Sequence, residues 1–501
     1  MTQTWKKIAT VSLAAVMLTG SLVGCGKKAV SIDKENPSIN VMTKAYNTES
    51  ASPDSPVLQK LEEFLGTKLN ITWVPSTSYD EKVTAAMGSG EYPQVMLVGS
   101  RSSSVIQNSR AGTFWDVTDK LTDAEKFPNL AQTDPTVNHN TSIDGKVYGV
   151  YRSRELGRAG VSIRKDWLGL EQPKTIDDFY NVLKAFKEQD PDGNGANDTY
   201  GMIVTDYLNG PLNNIAIWMG APNQYGLKDG KLAPAFMFDE YLEALKFMNK
   251  CYNEGLINQD MATYSSDKWN EQFLSGKAGV IIDVADRARR LAQNIQAIDP
   301  NAVVDVFGYV TKDASSEPRT LPTTGYDGYY VFPKTSVATE EDLDFILGVM
   351  DKANEQEALN LMNYGIEGRN YDLDADGYVV KKDDANLTKE YNDLNQFSTG
   401  IVATKLQIKY ATDVAEKIQE VYDENKLHTV ANPAEPYVSD TYSTRGPQLE
   451  AIMSEANTKF IVGQISEDEW KAQRDRWLQQ GGQKVIDELN KAYEEDDSVQ
   501  K

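Results

Sequence analysis

Between residues 39 and 98 short apolar runs alternate with amphipathic ones, and this alternation limits the fold more than any other feature of the chain. Ile39-Asn-Val-Met42, Asn70-Ile-Thr-Trp-Val74 and Gln94-Val-Met-Leu-Val98 have the length and the β-branched or aromatic content of strands. Ser55–Gly66 reads as an amphipathic helix, with Val57, Leu58, Leu61, Phe64 and Leu65 on one face and Gly66 as its stop. Tyr79–Met87 reads as a second helix. Strand–helix alternation of this kind calls for a doubly wound α/β layer. In such sheets ligands sit beyond the carboxyl ends of the strands, which here are Lys44–Asn47 and Gly99–Arg101.

The pattern continues along the chain. A turn at Asp144-Gly145 leads into a strand ending at Tyr151, and Gly160–Arg164 is another strand. Thr175 caps a helix over Ile176–Lys187, with Asp178 near its positive end. A longer helix spans Asp239–Glu254 and closes at Gly255. Gly325–Pro333 is a strand rich in aromatics, and from Glu340 the chain is largely helical apart from Asp372–Asp384. At 501 residues the chain is too long for one core of ordinary size, so two lobes are expected.

Charge and cysteine content exclude several functions. With 51 Lys+Arg against 74 Asp+Glu the net charge is −23, which repels phosphate backbones and anionic lipid headgroups. Nucleic acid is therefore not an expected partner. Two cysteines (Cys25, Cys251) and two histidines (His139, His428) leave almost no material for a Cys–His nucleophile or a histidine-rich zinc site.

Residues 1–24 read as an export signal. Lys6 and Lys7 form the basic start, and Ile8–Val23 forms an apolar stretch too short and too polar to span a bilayer comfortably. The stretch ends in Leu22-Val-Gly-Cys25, which resembles the lipobox of bacterial lipoproteins, where the cysteine thiol takes the diacylglycerol. The expectation is a chain lipidated at Cys25, joined by a flexible polar tether (25–37), and held by its acyl chains alone on the extracytoplasmic face of a bacterial membrane.

Two acidic runs could take a hard cation. Asp190-Pro-Asp-Gly-Asn-Gly-Ala-Asn-Asp198 places oxygen side chains at loop positions 1, 3, 5 and 9 (Asp190, Asp192, Asn194, Asp198). Glycine stands at 6, and the Ala196 carbonyl is at 7. This is calcium-loop spacing, although position 12 is Gly201 rather than glutamate. Asp372-Leu-Asp-Ala-Asp-Gly377, with Asp383 at position 12, imitates the same start but reads better as a hairpin turn.

Several strings, in order, resemble extracellular solute-binding protein family 1, in its branch of LplA-like sugar-binding lipoproteins and alginate-binding periplasmic proteins. They are Ser89–Gln94, Phe114–Asp119, Asp144–Gly149, Arg164–Leu168, Pro173–Phe179, Glu254–Ile257, Ser275–Gly279, Tyr364–Tyr371 and Ile461–Gly463. The alginate-binding relatives close their calcium site with an acid just after the ninth position, where this chain has Thr199.

The resemblance implies a two-lobe α/β periplasmic-binding-protein fold, type II-like, with discontinuous lobes and the ligand clamped in the cleft between them. The crossings then fall near Gly160–Arg164 and Asp327–Pro333. The lobes become 38–160 with 328–365, and 161–327 with 366–501. The resemblance also implies a monomer that captures an oligosaccharide without catalysis and delivers it to an ABC permease, with a structural calcium ion.

Sugars offer flat C–H faces to aromatic rings and hydroxyls to paired polar groups. Candidate cleft residues are therefore Tyr46, Arg101, Arg152, Trp218, Trp269, Tyr326 and Arg369, with Arg287, Tyr329, Tyr364 and Tyr371 as further candidates. Trp167, Trp470 and Trp477 sit at helical spacing among apolar residues and are expected in the core. Two other readings remain open at this point, a surface-tethered carbohydrate-active enzyme and the same fold binding a peptide.

Overall fold

The computed structural model describes residues 31–169, 171–402, 405–408 and 414–496. The signal segment and Cys25 lie outside them. In chain order the strands are β1 (Ser38–Ala45), β2 (Lys68–Pro75), β3 (Val95–Val98), β4 (Gly149–Ser153), β5 (Ala159–Arg164), β6 (Tyr200–Met202), β7 (Tyr225–Lys228), β8 (Lys231–Pro234), β9 (Ala278–Val284), β10 (Val304–Phe307), β11 (Tyr326–Val331), β12 (Tyr371–Leu373) and β13 (Val379–Lys381).

One sheet has the order β2-β1-β3-β11-β4. β1 runs parallel to β2 and β3, and β11 lies antiparallel between β3 and β4. All four residues of β3 are fully buried, as a central strand covered on both faces requires. The helices that cover it form where the sequence predicts them. Ser55 accepts from the amides of Val57 and Leu58 to start the helix Pro56–Leu65. Gly66, at φ +75°, stops it.

The second sheet has the order β10-β5-β9-β6. A capping box at Thr175 and Asp178 opens its helix Ile176–Glu188, which buries Phe179, Leu183 and Phe186. Trp167, Trp470 and Trp477 lie in this second core, as expected.

Each sheet anchors its own lobe. The first core contains Val41, Leu61, Leu97, Tyr330 and Leu347, and the second contains Phe179, Leu212, Trp218, Met248 and Ile282. A satellite cluster around Trp269, Phe273, Ile281 and Leu291 extends the second lobe.

The chain passes between lobes through residues 154–158 and 308–325, and it leaves the first lobe a third time at residues 398–402. Gly160–Arg164 and Asp327–Pro333 are therefore sheet strands beside the crossings and not the crossings themselves. The crossings are tied to one another: Arg154 N–H donates to Gly325 O (3.0 Å), Thr323 N–H to Leu156 O (3.0 Å) and Ser153 N–H to Thr399 O (2.6 Å).

Two boundaries differ from the sequence expectation. Ile366, Tyr391, Leu394 and Phe397 pack on the first core, because Asn392 and Asp393 bond back to the β1 end at Ala51, Tyr46 and Asn47. Residues 366–397 thus belong with the first lobe. Within the expected tether, Ile32 N–H donates to Asp342 (2.9 Å) and its side chain packs on the first core. No helix among the described residues is long and apolar enough to cross a membrane.

Candidate functional site

The topology gathers one end of the first sheet against the second lobe. β1 and β3 finish there, β11 begins there and β4 finishes there, which aligns Tyr46, Arg101, Tyr326, Asp327 and Arg152 along one edge. Opposite lie the loop after β6, with Tyr207, and the segment 432–447 that leads into and begins the helix Asp440–Ile461. A cavity of 540 Å³ is lined by Ser100, Arg101 and Tyr326 from the first lobe and by Tyr225, Glu435 and Tyr442 from the second. A cavity of 690 Å³ continues it past Tyr207, Asn213, Tyr241 and Leu321, sharing Gln224, Tyr225, Tyr442 and Glu450. Together they form one trough between the lobes.

The exposed rings of this trough are tyrosines. Tyr207 is 51% exposed and Tyr442 42%, and Tyr46 on the facing sheet edge is 56% exposed. Tyr207 lines the wall of the larger cavity, where burial and then the Asp283 charge raise its phenol above the ordinary value. The polar side is carried by Glu435, Glu450, Asn432 and Gln224. Glu435 is bonded by Asn432 (3.0 Å) and Tyr326 (3.4 Å). Burial pushes its carboxyl above the ordinary glutamate value, and Arg101 offsets this in part. Such an array presents flat apolar faces beside hydrogen-bond acceptors.

The tryptophans stand behind this surface. Trp218 is 2% exposed and packs edge-on against Phe179 at 5.9 Å, because the second half of its helix, Asn214–Trp218 within Asn209–Trp218, is buried throughout. Trp269 is also 2% exposed. Its indole donates to Ile203 O (3.2 Å), and it lies 6.2 Å from Tyr207 with Arg287 stacked over it at 4.6 Å. Neither offers a stacking face, which corrects the expectation; Trp269 instead supports Tyr207. Tyr329, Tyr364 and Tyr371 are likewise buried.

The arginines divide by partner. Arg101 donates to Ser142 O (3.2 Å) in its own lobe and to Pro436 O (2.9 Å) and Glu435 O in the other, so it stitches the lobes together. Arg287 is held by Asp283 (2.7 Å) and Asn270 (2.6 Å). Arg369 is paired at two atoms with Glu390 (2.8 and 2.6 Å), which braces the loop after β13, and it does not line the trough cavities. Arg152 bonds Gln396 (2.9 Å), yet its Nη1 is buried without a hydrogen-bond partner among the described residues.

Tyr207 was legible in principle, since it follows the carboxyl end of β6. Tyr225, Glu435 and Tyr442 carry no such signal.

The acidic loop coils on itself away from this trough. Asp190 accepts from the amides of Asn194 (3.0 Å) and Gly195 (2.9 Å), and Gly195 takes φ +79° at the sixth position. The Asn194 amide reaches both Asp192 (2.7 Å) and Asp198 (3.2 Å), and Asp198 pairs with Lys277. Burial, and then Asp190 beside it, push the Asp192 carboxyl upward. Thr199 is no ligand, because its hydroxyl donates to Phe186 O (2.6 Å). The second acidic run forms the β12–β13 hairpin, with Asp374 accepting from Asp376 and Tyr378 amides. Among the described residues no three acids, cysteines or histidines stand close enough to form a ready metal cluster.

A family model for bacterial extracellular solute-binding proteins matches residues 44–364. Lipoprotein LipO of Bacillus subtilis (strain 168) is 40% identical over 98% of this chain and 98% of its own. The chain belongs to the bacterial extracellular solute-binding protein family. Another member, the polygalacturonan/rhamnogalacturonan-binding protein YtcQ of the same organism, is 33% identical over 98% of this chain and 99% of its own. Among solved members, an extracellular solute-binding protein from Bifidobacterium longum subsp. infantis superposes with a TM-score of 0.71. It shares 21% identity and covers 93% of this chain and 99% of that one. The two-lobe fold of the family is thus shared across nearly the whole length.

Proposed function

We propose that this protein is the solute-capturing subunit of an ABC importer, lipid-anchored through Cys25, and that it clamps an oligosaccharide, including acidic ones, in the trough between its lobes. The observation that carries this reading is one trough lined from both lobes, in which the exposed rings of Tyr207 and Tyr442 on the second lobe stand across from Tyr326 on the first, beside hydroxyl-reading carboxylates and amides. The binding named for YtcQ supports an acidic saccharide, and the lipoprotein name of LipO supports the anchor. The first lobe takes residues 31–153 and 326–397, and the second takes 159–307 and 414–496.

Ligand holds the closed form through its greater affinity for closed over open lobes, and a permease reads that form. Binding proceeds without bond cleavage by a monomer. The donors of the Asp190–Asp198 loop fit a hard cation: all are oxygens, and Asn194 already draws Asp192 and Asp198 together. We propose that calcium, held by Asp190, Asp192, Asn194, Ala196 O and Asp198, stiffens the second lobe there.

A thermal-shift screen of the full-length protein in detergent, against neutral and uronate-containing oligosaccharides, tests the reading. At least one saccharide is expected to raise the melting temperature and, in solution scattering, to lower the radius of gyration. Release of new reducing ends during the incubation, or stabilisation by peptides alone, would replace it.

A further inference from the structure

A smaller cavity of 200 Å³ opens beside the trough, one strand further along the same sheet edge. Arg152, Ser153, Asn363, Asn395, Ser398 and Lys405 supply its polar lining, and no carboxylate lines it among the described residues. Ser153 is the β-ladder partner of Tyr326, which lines the trough, so the two cavities are one residue pair apart.

The cations here exceed their counter-charges. Among the described residues Arg152 Nη1 is buried without a hydrogen-bond acceptor, and the carboxylate paired with it, Asp327, lies 3.8 Å away while bonding Arg154 at 3.0 Å. Among the described residues the Lys405 ammonium has no acceptor. A third cation, Lys381, donates to Asn363 O (3.3 Å) at the same wall. In a chain of net charge −23, a cavity lined by positive groups without acids is an anion's place. The trough is its opposite, since Glu435 and Glu450 face Arg101 there.

We propose that this cavity binds the carboxylate of an acidic sugar unit, between Arg152 and Lys405, while the neighbouring unit of the same chain lies in the trough against Tyr326. The proposal rests on the trough being the saccharide site. The state of the two lysines agrees with a site that favours an anion. Although Lys405 keeps exposed area, its concave surroundings lower its affinity for a proton, and the charge of Arg289 lowers it further. Lys381 is lowered by burial and then by Lys405.

The test uses the full-length protein in detergent, titrated by calorimetry with trigalacturonate, with its carboxyl-reduced neutral counterpart, and with inorganic sulfate. Wild type is expected to favour trigalacturonate at least tenfold. Lys405→Gln should abolish that preference while leaving affinity for the neutral sugar unchanged, and Arg152→Gln should abolish it as well. Arg152 also braces Gln396, so Lys405→Gln is the variant that separates binding from folding. A preference that persists in Lys405→Gln, or a wild type that binds both sugars equally, overturns the subsite and leaves the trough standing. Binding of sulfate alone at Lys405, without a difference between the sugars, assigns the cavity to a free anion and also overturns it. Failure to bind either sugar overturns the subsite, and the oligosaccharide screen then decides the trough separately.

Discussion

The side-chain amide of Asn425 donates to the carbonyl oxygen of Gly157 at 2.8 Å, and thereby pins one helix end to the first crossing between the lobes. The same amide reaches Ala159 O (2.8 Å), and the Asn425 carbonyl accepts from the Thr320 hydroxyl (2.8 Å) on the second crossing. The approach is so close that a β-carbon at Gly157 would meet Tyr422 O, and one at Gly308 would meet the Asn425 side chain. Asn425→Ala leaves two carbonyls unpaired in a fully buried place, and each such loss costs roughly 1–3 kcal/mol. A drop in stability of about 2–4 kcal/mol in urea unfolding is expected, whereas an exposed control such as Asn301→Ala should change little. A fully stable Asn425→Ala would show that the crossings are held by other contacts.

Aromatic residues of the trough should separate from those behind it. Tyr207→Ala and Tyr442→Ala are expected to weaken saccharide binding by ~1–3 kcal/mol, by analogy with stacking of bases on aromatic rings, with modest effects on folding. Trp218→Ala should instead cost about 3–5 kcal/mol of stability, as removal of a buried aromatic does. Parallel calorimetry and thermal denaturation distinguish the two patterns, and normal stability of Trp218→Ala would contradict its placement in the core.

Acid sensitivity should arise partly beside the crossings, at Asp286. Burial alone would raise its carboxyl, but the bidentate Arg158 bond (2.9 and 3.1 Å), with Arg290 and the Tyr422 hydroxyl, brings the net direction below the ordinary aspartate value. A lowered folded value means that the stabilisation is complete above the ordinary aspartate range and is lost as pH falls through the folded value. The gap in melting temperature between wild type and Asp286→Asn should therefore be widest near pH 6 and shrink below about pH 4. A constant gap down to pH 2.5 would exclude this carboxylate as the source.

Calcium should act on stability and not on the trough. Binding to the native state alone adds on the order of 3 kcal/mol at a hundredfold excess over the dissociation constant. Chelator is expected to lower the melting temperature of the calcium-loaded wild type and to do little to Asp192→Ala. Insensitivity of the loaded wild type to chelator would remove the site.

The proposed anchoring depends on one thiol. Cys25→Ser is expected to leave the precursor uncleaved or to release the protein into the medium, read by fractionation and mass spectrometry of the N-terminus. Membrane retention of the serine variant with normal processing would exclude the lipid.

The sequence by itself determined the local elements, because their signals are carried by neighbouring residues. Ser55 and Gly66 bound a helix through cap geometry, Thr175 and Asp178 form a capping box, and the apolar run of β3 states that this strand is covered on both faces. The ordered strings from Ser89 to Gly463 carried the family as well.

Tertiary structure alone decided which side of each element faces the ligand. Trp218 and Trp269 carry the right chemistry for stacking, but their helices are enclosed, so packing took the rings that the chemistry suggested for sugar. Arg369 lies in the most distinctive string, and Glu390, 21 residues away, already holds it. Tyr442 and Glu435 reach the trough because the segment 432–440 wedges between the lobes, with Val438 on one core and Tyr437 on the other. No local pattern encodes that wedge, since its energy comes from contacts such as Arg101 with Pro436, 335 residues apart.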